Sequence, residues 1–315
     1  MNSLPPRSST LAPGWQLLVL LGLLLAGYSL GSLLGIGLAA GLYGLSLGQM
    51  QQLAAAPAGQ PHAWAVLMLL QGAGMAVAGA AVLALPRLAG STVRAYFAPQ
   101  PLRGPGWPLA AALLVLLVLP ALSPVIAWNA HAHFPAWAQG FERWARAAED
   151  ERQVLTAFLT TFNSPARLLV GLLIVALTPA VAEELVFRGV LQPNLVRALG
   201  SRHLGIWLTA AIFSAIHMQF FGFVPRLLLG LVLGYLYDWS GNILVSMAAH
   251  FTQNAFQLLL LYLFQRSQLP AALNPDVDQA LPWSVVLLSG LLSAGLLYLL
   301  HQRRVRPVPA AATHS

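Results

Sequence analysis

Glu183 and Glu184 stand inside the apolar stretch from Leu168 to Leu191, where each ionised carboxylate costs several kcal/mol by insertion scales. Two adjacent carboxylates at such a place need partners or a task. Arg188 follows Glu184 by four positions, one helical turn away on the same face, and can pair with it. Glu183 is rotated by about 100° from Glu184 and stays available for proton transfer. His217 falls in the next apolar stretch, within Phe213-Ser214-Ala215-Ile216-His217, while His250 and Asn254 come two stretches later, one turn apart on a shared face. At about 1.5 Å per residue from each helix's expected cytoplasmic end, Glu183 and His217 lie about 20 Å deep, His250 about 12 Å and Asn254 about 18 Å. The four can line one cavity, which is expected to open to the cytoplasm.

Peptide hydrolysis needs an activated water, a base that later acts as an acid for the leaving amine, and donors for the tetrahedral oxyanion. This set holds all three kinds of group. A partly desolvated glutamate can take a proton from water that one histidine orients, while the second histidine and the asparagine amide donate to the oxyanion. Pro179, one turn before Glu183, removes a backbone hydrogen bond and is expected to bend the helix and admit water. The same side chains leave a second chemistry open, with Glu183, His217 and His250 as ligands of a Zn2+ ion whose bound water is the nucleophile. The chain has no H-E-x-x-H, which would set two histidines and a base on one helix turn. A glutamate-activated water that requires no cofactor is therefore the favoured reading, with zinc as the alternative.

Such side chains need a scaffold, and the composition names it. Of 315 residues 58% are hydrophobic and only 8% charged, too few charges to cover a soluble domain of this size. The expectation is an all-α, polytopic membrane bundle of about eight transmembrane helices, near 15–47, 62–86, 108–128, 167–198, 204–220, 226–239, 243–264 and 281–300. The catalytic core falls in helices 4 to 7. The first run exceeds what a bilayer needs, so it is tilted, extended beyond the membrane, or broken; it also exceeds a signal-peptide core and is read as a retained anchor. The chain divides into a cytoplasmic tail over 1–13, N-terminal membrane helices over 14–128, an amphipathic interfacial segment over 129–164, the core over 165–265, and a last membrane helix with its tail over 266–315. Within the interfacial segment a helix over about 137–163 carries Trp137, Phe141, Trp144 and Phe158. Glycines at 27, 31 and 35, with others at 37, 41, 230 and 234, recur at the spacing of close-packed membrane helices. Most of the stripe Trp15, Trp64, Trp107, Trp128, Trp207, Trp239 and Trp283 falls near helix ends, as an interface belt does.

The net charge of +7 comes from sixteen arginines scattered between apolar segments, which speaks against a nucleic-acid partner. With the N-terminus inside, alternating helices collect Arg7, Arg87, Arg94, Arg103, Arg197, Arg202, Arg303, Arg304 and Arg306 on the cytoplasmic side, so both termini are expected there. Cysteine is absent, which excludes disulfides and thiol catalysis. His131 and His133 are spaced like a small metal clip, but a loop beside Trp128 and Phe134 favours an interfacial role.

Three short motifs, each in an apolar stretch, follow in order: E-E-x-x-x-R at 183–188, F-x-x-x-H at 213–217 and H-x-x-x-N at 250–254. In these the chain resembles the type II CAAX prenyl endopeptidases and their bacterial relatives, the CPBP or Abi intramembrane proteases, over about 165–265. The resemblance implies an endopeptidase acting on membrane-associated polypeptides. It implies Glu183 as the water-activating carboxylate with His217 beside it, His250 and Asn254 as the oxyanion pocket, and Glu184, Arg188 and the motif's Phe213 as support. The alanine, leucine and arginine bias points to a bacterial inner membrane. Two rivals stay open: a non-catalytic scaffold, immunity or sorting module that keeps the buried charges for packing, and a proton-relay transporter. Against the transporter, the sequence shows no inverted repeat.

Overall fold

The structure, a computed structural model, describes residues 11–102, 104–270, 274 and 279–305. Arg7, Arg103 and Arg306, most of the N-terminal tail and the tail after Val305 lie outside the described residues. Among the described residues seven helices are long and apolar enough to cross a membrane: Pro13–Tyr43, Ala63–Leu88, Gly106–Ala130, Pro165–Leu199, Phe220–Ser240, Ile243–Gln265 and Trp283–Gln302. The chain is an all-α, multi-pass membrane bundle. Large apolar side chains point outward where lipid would be, Leu42 at 68% and Leu291 at 73% exposure among them.

The first helix, α1 (Pro13–Tyr43), stops three residues before a short second one, α2 (Leu47–Ala55), so the run expected over 15–47 is broken near its end. Gly44 takes a left-handed φ of 65° and donates its N–H to Ala40, closing α1. Ser46 then caps α2 in a reciprocal pair with Gln49. Against α1 packs α3 (Ala63–Val82), and the expected glycine seam is present: Gly27 meets Ala78, Gly31 meets Ala73 and Gly74, and Gly35 meets Leu70. Gly37 and Gly41 have nothing within 4 Å of where a side chain would start, so they are not part of that seam. Trp64 also departs from the interface belt: it is buried, and its indole N–H donates to the Leu159 carbonyl at 2.8 Å.

After two short turns of helix, α4 (Leu85–Leu88) and α5 (Val93–Phe97), α6 (Gly106–Ala130) forms the wall against which α13 (Ile243–Gln265) and α14 (Trp283–Gln302) pack. The expected amphipathic helix is α7 (Gln139–Leu159), entered through a single 3-10 turn at Ala136–Ala138. Its approach is pinned by Glu142, whose carboxylate accepts the Phe134 N–H at 2.7 Å and bonds His133 and Arg146. The Phe134 N–H, with His133 and Arg146, outweighs desolvation and holds that carboxyl down at about 2. His133 is thus engaged by Glu142 and His131 by the Ala127 carbonyl, so the two do not form a clip.

The long span Pro165–Leu199 is not one regular helix. Three α-helical pieces, α8 (Pro165–Gly171), α9 (Thr178–Glu184) and α10 (Gln192–Leu199), alternate with π-helical segments at Leu172–Leu177 and Leu185–Leu191. Each wide segment leads into a proline at the second position of the next α piece, Pro179 and Pro193. A proline ring has no N–H and collides with the preceding turn of an α-helix, and a wider turn makes room for it. The helix therefore absorbs Pro179 by widening, and the Thr178 hydroxyl donates to Leu173, five residues back, at 2.8 Å.

The fifth apolar run also differs from expectation. Helix α11 (Arg202–Ile216) has 15 residues and rises about 22 Å, short of the roughly 30 Å hydrocarbon layer. It pairs with α12 (Phe223–Ser240), and Gly230 and Gly234 let the two backbones approach at Ala210 and Ile206.

Candidate functional site

Short α9 presents Glu184 to the bundle interior, where the carboxylate is fully buried. Arg188, also fully buried, donates from Nη1 to Glu184 Oε1 at 2.8 Å and from Nη2 to the Gly230 carbonyl at 3.0 Å. One turn further, Gln192 donates to the Gly234 carbonyl at 3.0 Å. Two side chains four residues apart thus clasp two carbonyls four residues apart on α12, with glycines at both carbonyls permitting the approach.

The same Glu184 oxygen meets His250 Nδ1 on α13 at 3.0 Å. A carboxylate only accepts, so Nδ1 carries a hydrogen. The other ring nitrogen, Nε2, faces Glu183 Oε2 at 3.8 Å, within ion-pair range. His250 therefore stands between the two glutamates. Glu183 keeps 16% of its side chain exposed, whereas Glu184 keeps none.

His217 caps the C-terminal end of α11 and donates from Nδ1 to the Phe213 carbonyl at 2.7 Å, leaving Nε2 as an acceptor in the neutral ring. Phe213 gathers the three motifs. Its ring carries the Arg188 guanidinium at 4.9 Å, and it meets the rings of His217 at 4.9 Å, Phe187 at 5.1 Å and His250 at 6.0 Å. Asn254, one turn beyond His250, is half-buried and has no side-chain hydrogen bond among the described residues.

The grouping differs in detail from the sequence reading. The histidine in ion-pair range of Glu183 is His250, and among the described residues His217 makes no such pair with it. His217 also sits at the end of the bundle that α7 covers, since Arg152 of α7 donates to the neighbouring Met218 carbonyl at 2.7 Å. That is the end opposite the α10–α11 turn. Glu183, His217 and His250 are not gathered as a ligand set in this arrangement: among the described residues no group of three His, Asp or Glu side chains is placed to hold a metal ion.

Sequence reading missed Arg226. It lies in the first turn of α12, its Nη2 donates to Gln219 Oε1, its Nη1 is buried without a partner among the described residues, and its charge acts on both Glu183 and His217. The signal was an arginine nine positions after His217 in an apolar run; starting a helix at 226 left it on a boundary, where arginines are ordinary. Asn129, Glu149 and Arg152, which reach the turn after His217, carried no signal of their own.

The family model described as type II CAAX prenyl endopeptidase Rce1-like matches residues 165–256. An uncharacterized protein of Bacillus subtilis (strain 168), YpbD, is 38% identical over 80 residues, which are 24% of this chain. The chain spans 38% of that relative's length. No solved structure matches the chain at a significant level. The segment that carries all three motifs, Glu183 to Asn254, thus lies wholly within a match to the Rce1-like type II CAAX prenyl endopeptidases, the family that its motifs resemble.

Proposed function

We propose that this protein is an intramembrane endopeptidase that hydrolyses peptide bonds of membrane-associated polypeptides with a water activated by Glu183. The observation that carries the reading is the division of labour between adjacent glutamates: Glu184 is wholly buried and bound to Arg188 and His250, while Glu183 is partly exposed beside the same histidine. A carboxylate that is both desolvated and reachable can take the proton of a water and return it to the leaving amine. His217, with Nε2 free to accept, orients that water. His250, held by Glu184 through its Nδ1–H and donating from Nε2 as an imidazolium, and Asn254, whose amide has no partner among the described residues, supply donors for the oxyanion. Glu184, Arg188 and Phe213 hold these groups in register. Peptide hydrolysis is what the side chains support; a prenylated substrate comes with the family's name alone.

Glu183→Gln tests the reading, because an amide cannot accept the water's proton. It should leave a protein as abundant and as detergent-stable as the parent and nearly abolish cleavage of a membrane-associated reporter peptide. A Glu183→Gln variant that cleaves at the parental rate would make the non-catalytic scaffold the better reading. The mechanism requires no metal: activity should persist after exhaustive chelation, and stoichiometric zinc whose removal and return switch activity off and on would support a metalloprotease instead. The protein is proposed to reside in a bacterial inner membrane with both termini cytoplasmic, on the arginines at the α3–α6, α10–α11 and α14 ends, and to have no nucleic-acid partner. A periplasm-active reporter that functions at the C-terminus would overturn the orientation.

A further inference from the structure

The turn from His217 to Gly222 is irregular backbone at the end of a helix too short to cross the hydrocarbon layer. Backbone at membrane depth is tolerated only where protein satisfies its polar groups. Here the partners come from outside the α11–α12 hairpin. Arg152 of α7 donates to the Met218 carbonyl at 2.7 Å, and Glu149 of α7 accepts the Phe221 N–H at 3.2 Å. Asn129 of α6 donates to the Phe220 carbonyl at 3.3 Å and accepts the Val224 N–H at 2.8 Å. Aromatic contacts close the same joint: Phe220 lies 5.1 Å from Phe141 and 5.7 Å from Trp144, and Arg146 sits 3.8 Å over Phe221. Met218, next to His217, has a φ of 53°, a conformation that a methionine keeps only when its surroundings hold it.

We propose that Glu149 and Arg152 of α7 are positioning residues for His217, holding its imidazole at the candidate site through the turn that comes after it. The idea rests on the endopeptidase reading, in which His217 orients the water. Arg152 fixes the carbonyl one residue after His217 with a short charge-assisted bond at the exposed edge of the turn. Glu149 fixes the far side of the same turn. Helix α7 lies outside the matched segment 165–256, so the surface helix would supply by contact what the short α11 lacks in length.

The test uses the full-length protein in detergent or proteoliposomes, with two independent readouts. The first is reporter cleavage resolved into kcat and KM. The second is the rate at which diethyl pyrocarbonate modifies His217, read by mass spectrometry of its peptide, which reports the imidazole's setting whether or not the protein is active. Loss of one hydrogen bond from a charged donor corresponds to about a tenfold to hundredfold fall in kcat. Arg152→Gln should show that fall with KM little changed and a faster modification of His217. Glu149→Gln should shift both readouts in the same direction, and Arg152→Lys, which keeps a cationic donor, should restore most of kcat. Exposed Arg143 on the same helix serves as control, and Arg143→Gln should resemble the parent. Arg152→Gln with parental kcat and parental His217 reactivity overturns the proposal. So does an equal loss of folded protein in Arg152→Gln and Arg152→Lys, which would mark a purely structural contact. If the parent cleaves no peptide while His217 reactivity still shifts in Arg152→Gln, the endopeptidase reading fails and the positioning contact stands.

Discussion

Glu184→Ala leaves the Arg188 guanidinium fully buried with its carboxylate gone. In the parent the pair is 2.8 Å long, and neither side chain has any exposure. Removing one partner of such a pair costs about 3–5 kcal/mol, because the remaining charge cannot return to water. Arg188 would keep the Gly230 carbonyl and the Phe213 ring, which pulls the loss toward the lower end of that range. At about 2–4 °C per kcal/mol for a chain of a few hundred residues, the melting temperature in detergent should fall by about 10 °C. The measurement is a thermal melt followed by the monodisperse fraction on size exclusion. A companion variant separates charge from shape: Glu184→Leu with Arg188→Met replaces the pair by apolar side chains of similar volume, a change that is often neutral. It should recover most of the melting temperature and none of the cleavage, because His250 still lacks the carboxylate that binds its Nδ1. Glu184→Ala melting within a degree or two of the parent would refute the reasoning, and failure of the double variant to recover would show that an uncompensated charge is not the cause.

Asn254→Ala should lower kcat about 10²-fold to 10³-fold if its amide donates to the oxyanion, and should leave folded yield unchanged because the amide holds nothing else among the described residues; an unchanged kcat would remove Asn254 from the mechanism. Glu142 makes a pH prediction outside the membrane spans. Its carboxyl is held at about 2, below the ordinary carboxylate range near 4.3, so its contribution to the α7 approach is complete at neutral pH and is lost as pH falls from about 4 toward 2. Hydrogen exchange of the Phe134 amide should therefore stay slow down to about pH 4 and speed up below it. Exchange at Phe134 that is already fast at neutral pH, or Glu142→Gln leaving it as slow as in the parent, would refute the assignment.

The candidate site was legible because charge in an apolar run is conspicuous: Glu183, Glu184, Arg188, His217 and His250 stand out against leucine and alanine, and the spacing of Glu184 and Arg188 sufficed to pair them. What could not be read was rotation about and between helices. Whether His217 or His250 faces Glu183 depends on how α11 and α13 are turned against α9, and leucine-rich stretches that meet lipid on one side and protein on the other blur the periodicity that would reveal it. Length was misread for a related reason. Between Leu204 and Phe223 only His217 and Gln219 interrupt the apolar run after Ser214, and no proline or glycine marks α11 as ending at Ile216. The break at Gly44 left a clearer trace, since a glycine with a capping serine two residues later is a recognisable stop and start.

The two wide turns in the span Pro165–Leu199 have a consequence for how its length can vary. A π segment is an α-helix holding one surplus residue, so removing a residue from Leu172–Leu177 lets the turn tighten to α without rotating the helix beyond it. Glu183, Glu184 and Arg188 would keep their bearings toward α12 and α13. The same deletion inside α9 has no surplus to draw on and would swing the rest of the span by about 100°, carrying Glu184 or Arg188 out of the bundle. Tolerance of single-residue deletions along this stretch should therefore track the helix type rather than distance from the glutamates, and the first wide turn becomes a place where chain length is free to drift while the site stays in phase.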